Sequence, residues 1–552
     1  MTAKFHAADT ILLNGFVYTI EQSAPHAEAL AISEGKLIAV GTSQEIRDHA
    51  SSATEVIDLQ GRMIMPGLVD GHCHPAKGAI ANLFSCKFAF SATPAEIARA
   101  ITERIERDPE IPCIMGGRWG SSFFEEHNIG SPRVWLDQIS QGRAVYLRDD
   151  SGHNGWANSQ ALRLAGISRN SADPEGGKII RDAQTGEPDG RLLEEADSYV
   201  RNRLPDWTPA QYRAGVLEMV RIANAYGITG VTDADASEPL LNAYRSVDLA
   251  GALTVYVAAS ITTPYGHRDT PLDYASIEVL RDKYASPHVD TRFAKIYEDG
   301  VPTSARTAAM LAPYLPHAEF AAGFSGMLHV DESTLTGDIA ELERRGFTVK
   351  LHTAGDRSVR VALNAIEKAH AISGRSDLRH ELAHAGFIAP SDIPRFKRLN
   401  VVADLSPYLW HPSPINCSIV SALGERGEHY WPIRDLLEAG APLLTGSDWP
   451  AAVPSMDPWI GLEAMVTRRD PARETPGVLW AEQAINLEQA LRIFTLDGAR
   501  ALRREAETGS LKVGKSADFI VLGQNLFRIA PEEIAATVVE TTFFAGKRVF
   551  QI

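Results

Sequence analysis

"MIMPGLVDGHCHPA", residues 63–76, ends an apolar run with two histidines one residue apart. In a strand alternate side chains share a face, so His72 and His74 point one way and Cys73 the other. Two imidazole nitrogens converging on one point make half of a metal site. The run before them, interrupted by Pro66-Gly67, reads as a buried strand that stops where the histidines begin.

Seven more segments of this kind follow: "GITGVTDA" from 227, "TVYVAAS" from 254, "FAKIYED" from 293, "TVKLHT" from 348, "HELAH" from 380, "NVVADLS" from 400 and "APLLTGSD" from 441. Helical patterns lie between most of them. Before the second strand Val216, Met219, Val220, Ala223 and Tyr226 recur at helical spacing and form one apolar stripe. Eight strand–helix units predict an α/β fold, a TIM-like (β/α)8 barrel over 66–504. About 150 residues separate the first two strands, far more than a barrel unit needs. Residues from about 75 to 204 are therefore expected to form an α+β insertion, with strands such as "PCIMGGRW", "AVYLRDD" and "GKIIRD". It leaves from the end of the barrel where active sites sit.

The flanks read differently. Residues 11–65 are short strands joined by tight turns, and "SADFIVLG" and "VVETTFFAGKRVFQI" repeat that style near the other end. The simplest arrangement pairs 1–65 with 505–552 in one small β-sandwich domain.

Composition narrows the function. Of 552 residues, 44% are apolar and 22% charged, the profile of an ordinary globular protein. A formal net charge of −16 without a Lys/Arg-rich block argues against nucleic acid as a partner. No apolar stretch is long enough to span a membrane, and the first residues lack a signal-peptide pattern, so the expected location is the cytoplasm. Four scattered cysteines, Cys73, Cys86, Cys113 and Cys417, suit reduced thiols better than a disulfide framework. A homodimer is the expected assembly, dimers being the commonest outcome for soluble enzymes.

Reading only the C-terminal ends of the expected strands collects His72, His74, Lys295, His352, His384 and Asp448. Singly, each has an ordinary explanation. A lone histidine is more often a satisfied core or loop residue, an aspartate after Gly-Ser is usually a cap or turn residue, and a strand-end lysine commonly snorkels to water. Together, at one end of independently assigned strands, they point to a metal centre.

The segments "LLNGFVYTI", "PGLVDGHCHP", "LRDDSGHNGWANSQAL", "AKIYEDGVPTSARTA", "LHTAGDRSV", "RHELAHAGFI", "LLTGSDWP" and "GSLKVGKSADFIVL" resemble the amidohydrolase superfamily. The resemblance is to its YtcJ-like branch, which includes N-substituted formamide deformylases. It implies that His72 and His74 hold the more buried of two divalent ions, expected to be zinc. His352 and His384 would hold the other, and Asp448 would bind the first beside a bridging hydroxide. Lys295 matches the position that in many relatives is carbamylated and bridges both ions, which requires a buried lysine of depressed pKa. The implied reaction is hydrolysis of an amide-type C–N bond in a small N-substituted amide or N-acyl compound, with Asp448 moving the proton.

Candidate substrate contacts are His153, also a catalytic candidate as oxyanion stabiliser, with Asn158, Trp119, Tyr297 and Trp449. Asn158 reads equally well as a helix cap, and Trp119 equally well as core of the insertion. Asp299 and Asp356 sit beside strand ends, where support of ligands or loops is the modest assignment. The rival readings are a mononuclear deaminase of the same superfamily, a lactonase or esterase, and a metal-free scaffolding protein. Lysine at 295 speaks against the first, and six competent ligand residues speak against the last.

Overall fold

A computed structural model describes residues 7–89, 91–120, 123–149, 154–174, 177–317, 320–451 and 453–552. Eight parallel strands form one sheet: β1 (Leu68–Cys73), β2 (Ile228–Ala236), β3 (Tyr256–Ile261), β4 (Val289–Tyr297), β5 (Thr348–Thr353), β6 (Glu381–His384), β7 (Val402–Leu405) and β8 (Leu443–Thr445). Neighbours in the chain are neighbours in the sheet, so the expected barrel is present. The strands are buried along almost their whole length, which is why they read as nearly continuous apolar runs.

The residues after β8 close the barrel against β1. The amide of Asp448 donates to the carbonyl of His72 at 2.7 Å, and that of His74 donates to the carbonyl of Trp449 at 2.7 Å. This seam joins two segments that carry candidate ligands. Register aligns others: Lys295 lies beside Lys350, Tyr297 beside His352, and Thr353 beside His384.

Strands from both chain ends share a six-stranded sheet, in which Phe519–Leu522 runs antiparallel to Met63–Pro66. A second sheet of four strands is built from Lys36–Gly41, Ala29–Ser33, Thr10–Leu13 and Glu55–Asp58. Leu12, Leu30 and Ile32 of the smaller sheet and Ile64, Phe519 and Phe543 of the larger one belong to one buried cluster. Phe519 and Phe543 stack with ring centres 4.4 Å apart.

The chain divides into two compact units, 1–78 with 216–552 and 79–215. The second unit has a five-stranded sheet in the order Gly177–Arg181, Pro188–Glu194, Asn154–Ala157, Ala144–Asp149, Cys113–Trp119. Its helix Pro94–Arg107 begins at a reciprocal cap between Thr93 and Glu96 and buries Ile97, Ile101 and Ile105. Among the described residues no helix is long and apolar enough to cross a membrane.

Candidate metal centre

The candidate ligands meet at the C-terminal ends of the barrel strands. Oδ1 of Asp448 lies 3.6 Å from Nε2 of His72 and 3.4 Å from Nε2 of His74. The rings of His72 and His384 are 4.8 Å apart, and those of His384 and His352 are 4.5 Å apart. Asp448 and His384 both have left-handed backbone, at φ 59° and 70°, a conformation that non-glycine residues keep where the surroundings enforce it.

These donors fit a divalent cation. Nε2 of His72, which faces Asp448, is buried and has no hydrogen-bond partner among the described residues. Ligand atoms about 2.1 Å from one tetrahedral ion lie roughly 3.4 Å from each other, the spacing seen from Asp448 to both histidines. Ligation requires neutral imidazole, and two of the rings, His72 and His384, are pushed toward that form. Burial, then the nearby charges of Lys350 and Lys295, pushes His72 well down, and burial with the field of His352 does the same to His384. Burial alone would raise the Asp448 carboxyl; the hydrogen bond from His74 and the fields of His384 and His72 keep it well below the usual carboxylate range.

The other nitrogen of each ring is spoken for where orientation demands it. Nδ1 of His72 donates to Oδ2 of Asp404 on β7 at 2.7 Å, leaving Nε2 for a metal. Nδ1 of His352 donates to Oδ1 of Asp299 at 3.2 Å. The Asp299 carboxylate is itself fixed by the amides of Ala309, Ala354 and Gly355 at 3.0, 2.9 and 2.9 Å and by the hydroxyl of Ser358 at 2.6 Å. Asp70 holds the segment before Asp448, accepting from the Ser447 amide at 3.0 Å and its hydroxyl at 2.6 Å. The indole of Trp431 donates to the carbonyl of His384 at 2.7 Å.

Lys295 is fully buried on β4, with its ammonium 5.1 Å from the centre of the Tyr297 ring. Burial and the charge of Lys350 push it down to about 8, so about a tenth of it is neutral amine at pH 7. That is the state that can add carbon dioxide.

Beneath these groups lies a charged cluster that the sequence reading missed. Nζ of Lys350 on β5 is 2.6 Å from Asp404 and 2.6 Å from Glu381 on β6, and it donates to the carbonyl of Gly71 at 3.1 Å. Burial disfavours its charge, but the two carboxylates keep Lys350 protonated. The signal was present in "VKLHT", "HELAH" and "VVADLS", each carrying a charge inside an apolar strand. Asp235 at the end of β2 was also missed; it pairs with Lys77 at 2.5 Å and hydrogen-bonds the Tyr297 hydroxyl.

The substrate candidates divide. Tyr297 stands beside Lys295 and His352, its ring 6.0 Å from that of His352. Trp449 is buried against Gly78, and its indole donates to the carbonyl of Pro454 at 3.1 Å. Trp119 packs within the core of the second unit beside Phe124 and Trp156. Asn158 caps the helix Ser159–Leu164, accepting from the amides of Ala161 and Val145 at 2.9 and 3.0 Å. Its amide group donates to the carbonyl of Arg143 at 2.8 Å and to Ser140 at 3.3 Å, which uses its hydrogen-bonding capacity inside that unit. His153 lies outside the described residues. Asp356 opens the helix Asp356–Ser373 and accepts from the amide of Leu311 at 2.7 Å, supporting a loop.

A barrel whose strand ends gather four histidines, a lysine and an aspartate, with His72, His74 and Asp448 within ligating range of one another, defines a metal-dependent hydrolase. Residues 55–550 match the amidohydrolase family, and the chain belongs to it. Protein LONG AFTER FAR-RED 3 of Arabidopsis thaliana is 26% identical over 557 residues, covering 98% of this chain and 92% of the relative. An N-substituted formamide deformylase of Arthrobacter pascens is 26% identical over 569 residues, covering 98% and 97%. An uncharacterized metal-dependent hydrolase from Pyrococcus horikoshii shares the fold with a TM-score of 0.77 at 21% identity, covering 95% of this chain and 99% of that one.

Proposed function

We propose that this hydrolase cleaves the C–N bond of a small N-substituted amide or N-acyl compound, using two zinc ions. The observation that carries the reading is the convergence of His72, His74 and Asp448, whose ligand atoms all lie within 4.8 Å of one another. The formamide deformylase among the relatives supports the choice of bond. His72, His74 and Asp448 would hold one ion, His352 and His384 the other, and carbamylated Lys295 would bridge them. Bound there, the metal supplies Lewis acidity toward the carbonyl and makes water acidic enough to ionise at neutral pH.

The chain's own groups do the rest. Asp448 accepts the proton from the attacking water and returns it to the departing nitrogen. Asp404 and Asp299 keep His72 and His352 in fixed orientations through their Nδ1 atoms. Tyr297 forms a wall beside Lys295.

The test is metal content per chain by mass spectrometry, on protein expressed with zinc and bicarbonate, together with formate release from N-substituted formamides. Two ions in the wild type, with one or none in Lys295→Ala, support the bridged centre. One ion in both removes the bridge and redirects the search to deaminase substrates.

A further inference from the structure

Three arginines are buried among the described residues: Arg104, Arg306 and Arg468. Two of them show how this chain accommodates such a group. Arg104 donates to the carbonyl of Phe84 at 2.7 Å and lies 3.3 Å from the carboxylate of Asp108. Arg468 donates to the carbonyls of Leu479 and Tyr430 at 2.7 and 3.0 Å and faces the ring of Trp410. Arg306 differs. It is 5% exposed, yet its Nε and Nη1 have no acceptor among the described residues, and its guanidinium carbon sits 5.4 Å from the centre of the Phe320 ring. A guanidinium stays charged at any ordinary pH, and leaving two of its three nitrogens buried without acceptors, where Arg468 leaves only Nη1, is disfavoured unless a partner arrives.

The placement of Arg306 suggests where that partner comes from. It lies in the loop after β4, the strand of Lys295 and Tyr297, within a segment, 299–309, whose two ends meet at Asp299. Asp299 begins the loop, and its Oδ2 accepts from the amide of Ala309 at 3.0 Å while its Oδ1 meets His352. At most about 11 Å of chain separates the Cα atoms of Arg306 and Ala309. Within the loop the amide of Arg306 donates to the carbonyl of Thr303 at 2.9 Å, and Arg306 itself has φ 53°. The hydroxyl of Tyr314, which donates to the carbonyl of Ala308 at 2.8 Å, lies in the electrostatic field of both Asp299 and Arg306. Arg306 thus occupies the active end of the barrel, on a loop tied to a candidate ligand.

We propose that Arg306 receives a carboxylate carried by the substrate, so that the compound cleaved is an N-acyl or N-formyl amino acid or a similar acid rather than a neutral amide. The inference rests on the amide-hydrolase reading above and narrows it. A planar carboxylate suits the guanidinium fork.

The test compares N-formylphenylalanine with N-formyl-2-phenylethylamine, which lacks only the carboxylate, by calorimetric binding and by formate release on the metal-loaded protein. In the wild type the acid is expected to bind about 10- to 100-fold more tightly. In Arg306→Met that ratio falls to about one; in Arg306→Lys, which keeps the charge without the fork, it falls several-fold, and this variant carries the test if the first does not fold. A wild-type ratio near one, absence of binding by either compound, or a ratio surviving in both variants overturns the proposal. Cleavage of both compounds without discrimination retains the hydrolase reading and removes the role of Arg306. Tight binding of the acid through Arg306 without cleavage of either compound supports that role and removes the amide reading.

Discussion

Nζ of Lys350 lies 2.6 Å from Oδ2 of Asp404, the same oxygen that takes the Nδ1 proton of His72. One carboxylate oxygen therefore joins a buried cation to a candidate metal ligand, and the tautomer of His72 follows from it. With the proton on Nδ1, Nε2 carries a lone pair.

Asp404→Asn should disturb that arrangement without removing a ligand. The amide oxygen can still accept from Lys350 and from Nδ1 of His72, but without the negative charge it holds the Nδ1 proton more weakly, so more of the ring carries its proton on Nε2, where it blocks the metal. Affinity for zinc is expected to fall about 10- to 100-fold, read by competition with a chromophoric chelator. Unchanged affinity would mean that Asp404 does not set the tautomer.

Lys350→Met strips the cation from two buried carboxylates, Asp404 and Glu381. The expected cost is about 3–5 kcal/mol in urea denaturation, because breaking a buried pair leaves charge uncompensated. Adding Glu381→Leu should recover part of the loss. A double variant no more stable than the single one would show that Glu381 carries no strain in the absence of Lys350.

Gly446→Ala attacks the barrel seam. A Cβ at this position would stand 2.2 Å from the amide nitrogen and 2.5 Å from the carbonyl oxygen of His72, and backbone cannot move aside cheaply. The strand pair must separate, carrying Asp448 away from His72 and His74. We expect protein that retains much of its helical circular dichroism but melts at lower temperature and purifies without metal. Wild-type metal content in this variant would contradict the close approach.

The pH dependence of stability has a distinct contributor in Asp248. Its Oδ2 accepts from the Ser286 hydroxyl at 2.5 Å and the His288 amide at 2.9 Å, and its Oδ1 lies 2.7 Å from Nδ1 of His288. Burial would raise this carboxyl, but these hydrogen bonds hold it below its ordinary value of 3.8. A depressed acid contributes its full stability above the unfolded value and loses it as pH falls through the folded one. Asp248→Asn should thus be less stable than wild type by about 1–3 kcal/mol near neutrality. The gap should narrow below pH 3.8, as followed by thermal melts across that range. A gap that stays constant into acid would assign the effect to packing.

The barrel was legible because its strands are buried on both sides and end at polar residues, so that a run such as "TVKLHT" announces both its extent and its functional terminus. His72, His74, Lys295, His352, His384 and Asp448 could be read because catalytic groups in such barrels occupy strand ends. Lys350, Glu381 and Asp404 were harder. Each lies on a different strand, and only the register of β5, β6 and β7 brings them together. The role of Asp299 was visible as a strand-end carboxylate, but its acceptance of three separate amides depends on how the loops fold back. Arg306 looked like part of a motif; its missing acceptors are a property of the folded chain alone.

The barrel seam also orders the making of this protein. His74 and Asp448 are about 370 residues apart, and the hydrogen bonds that join their segments form only when the last strand docks on the first. During synthesis the early histidines leave the ribosome long before their aspartate does, so a nascent chain holds an incomplete set of donors. The complete ligand set is a late product of folding, and metal captured by it reports that the barrel has closed.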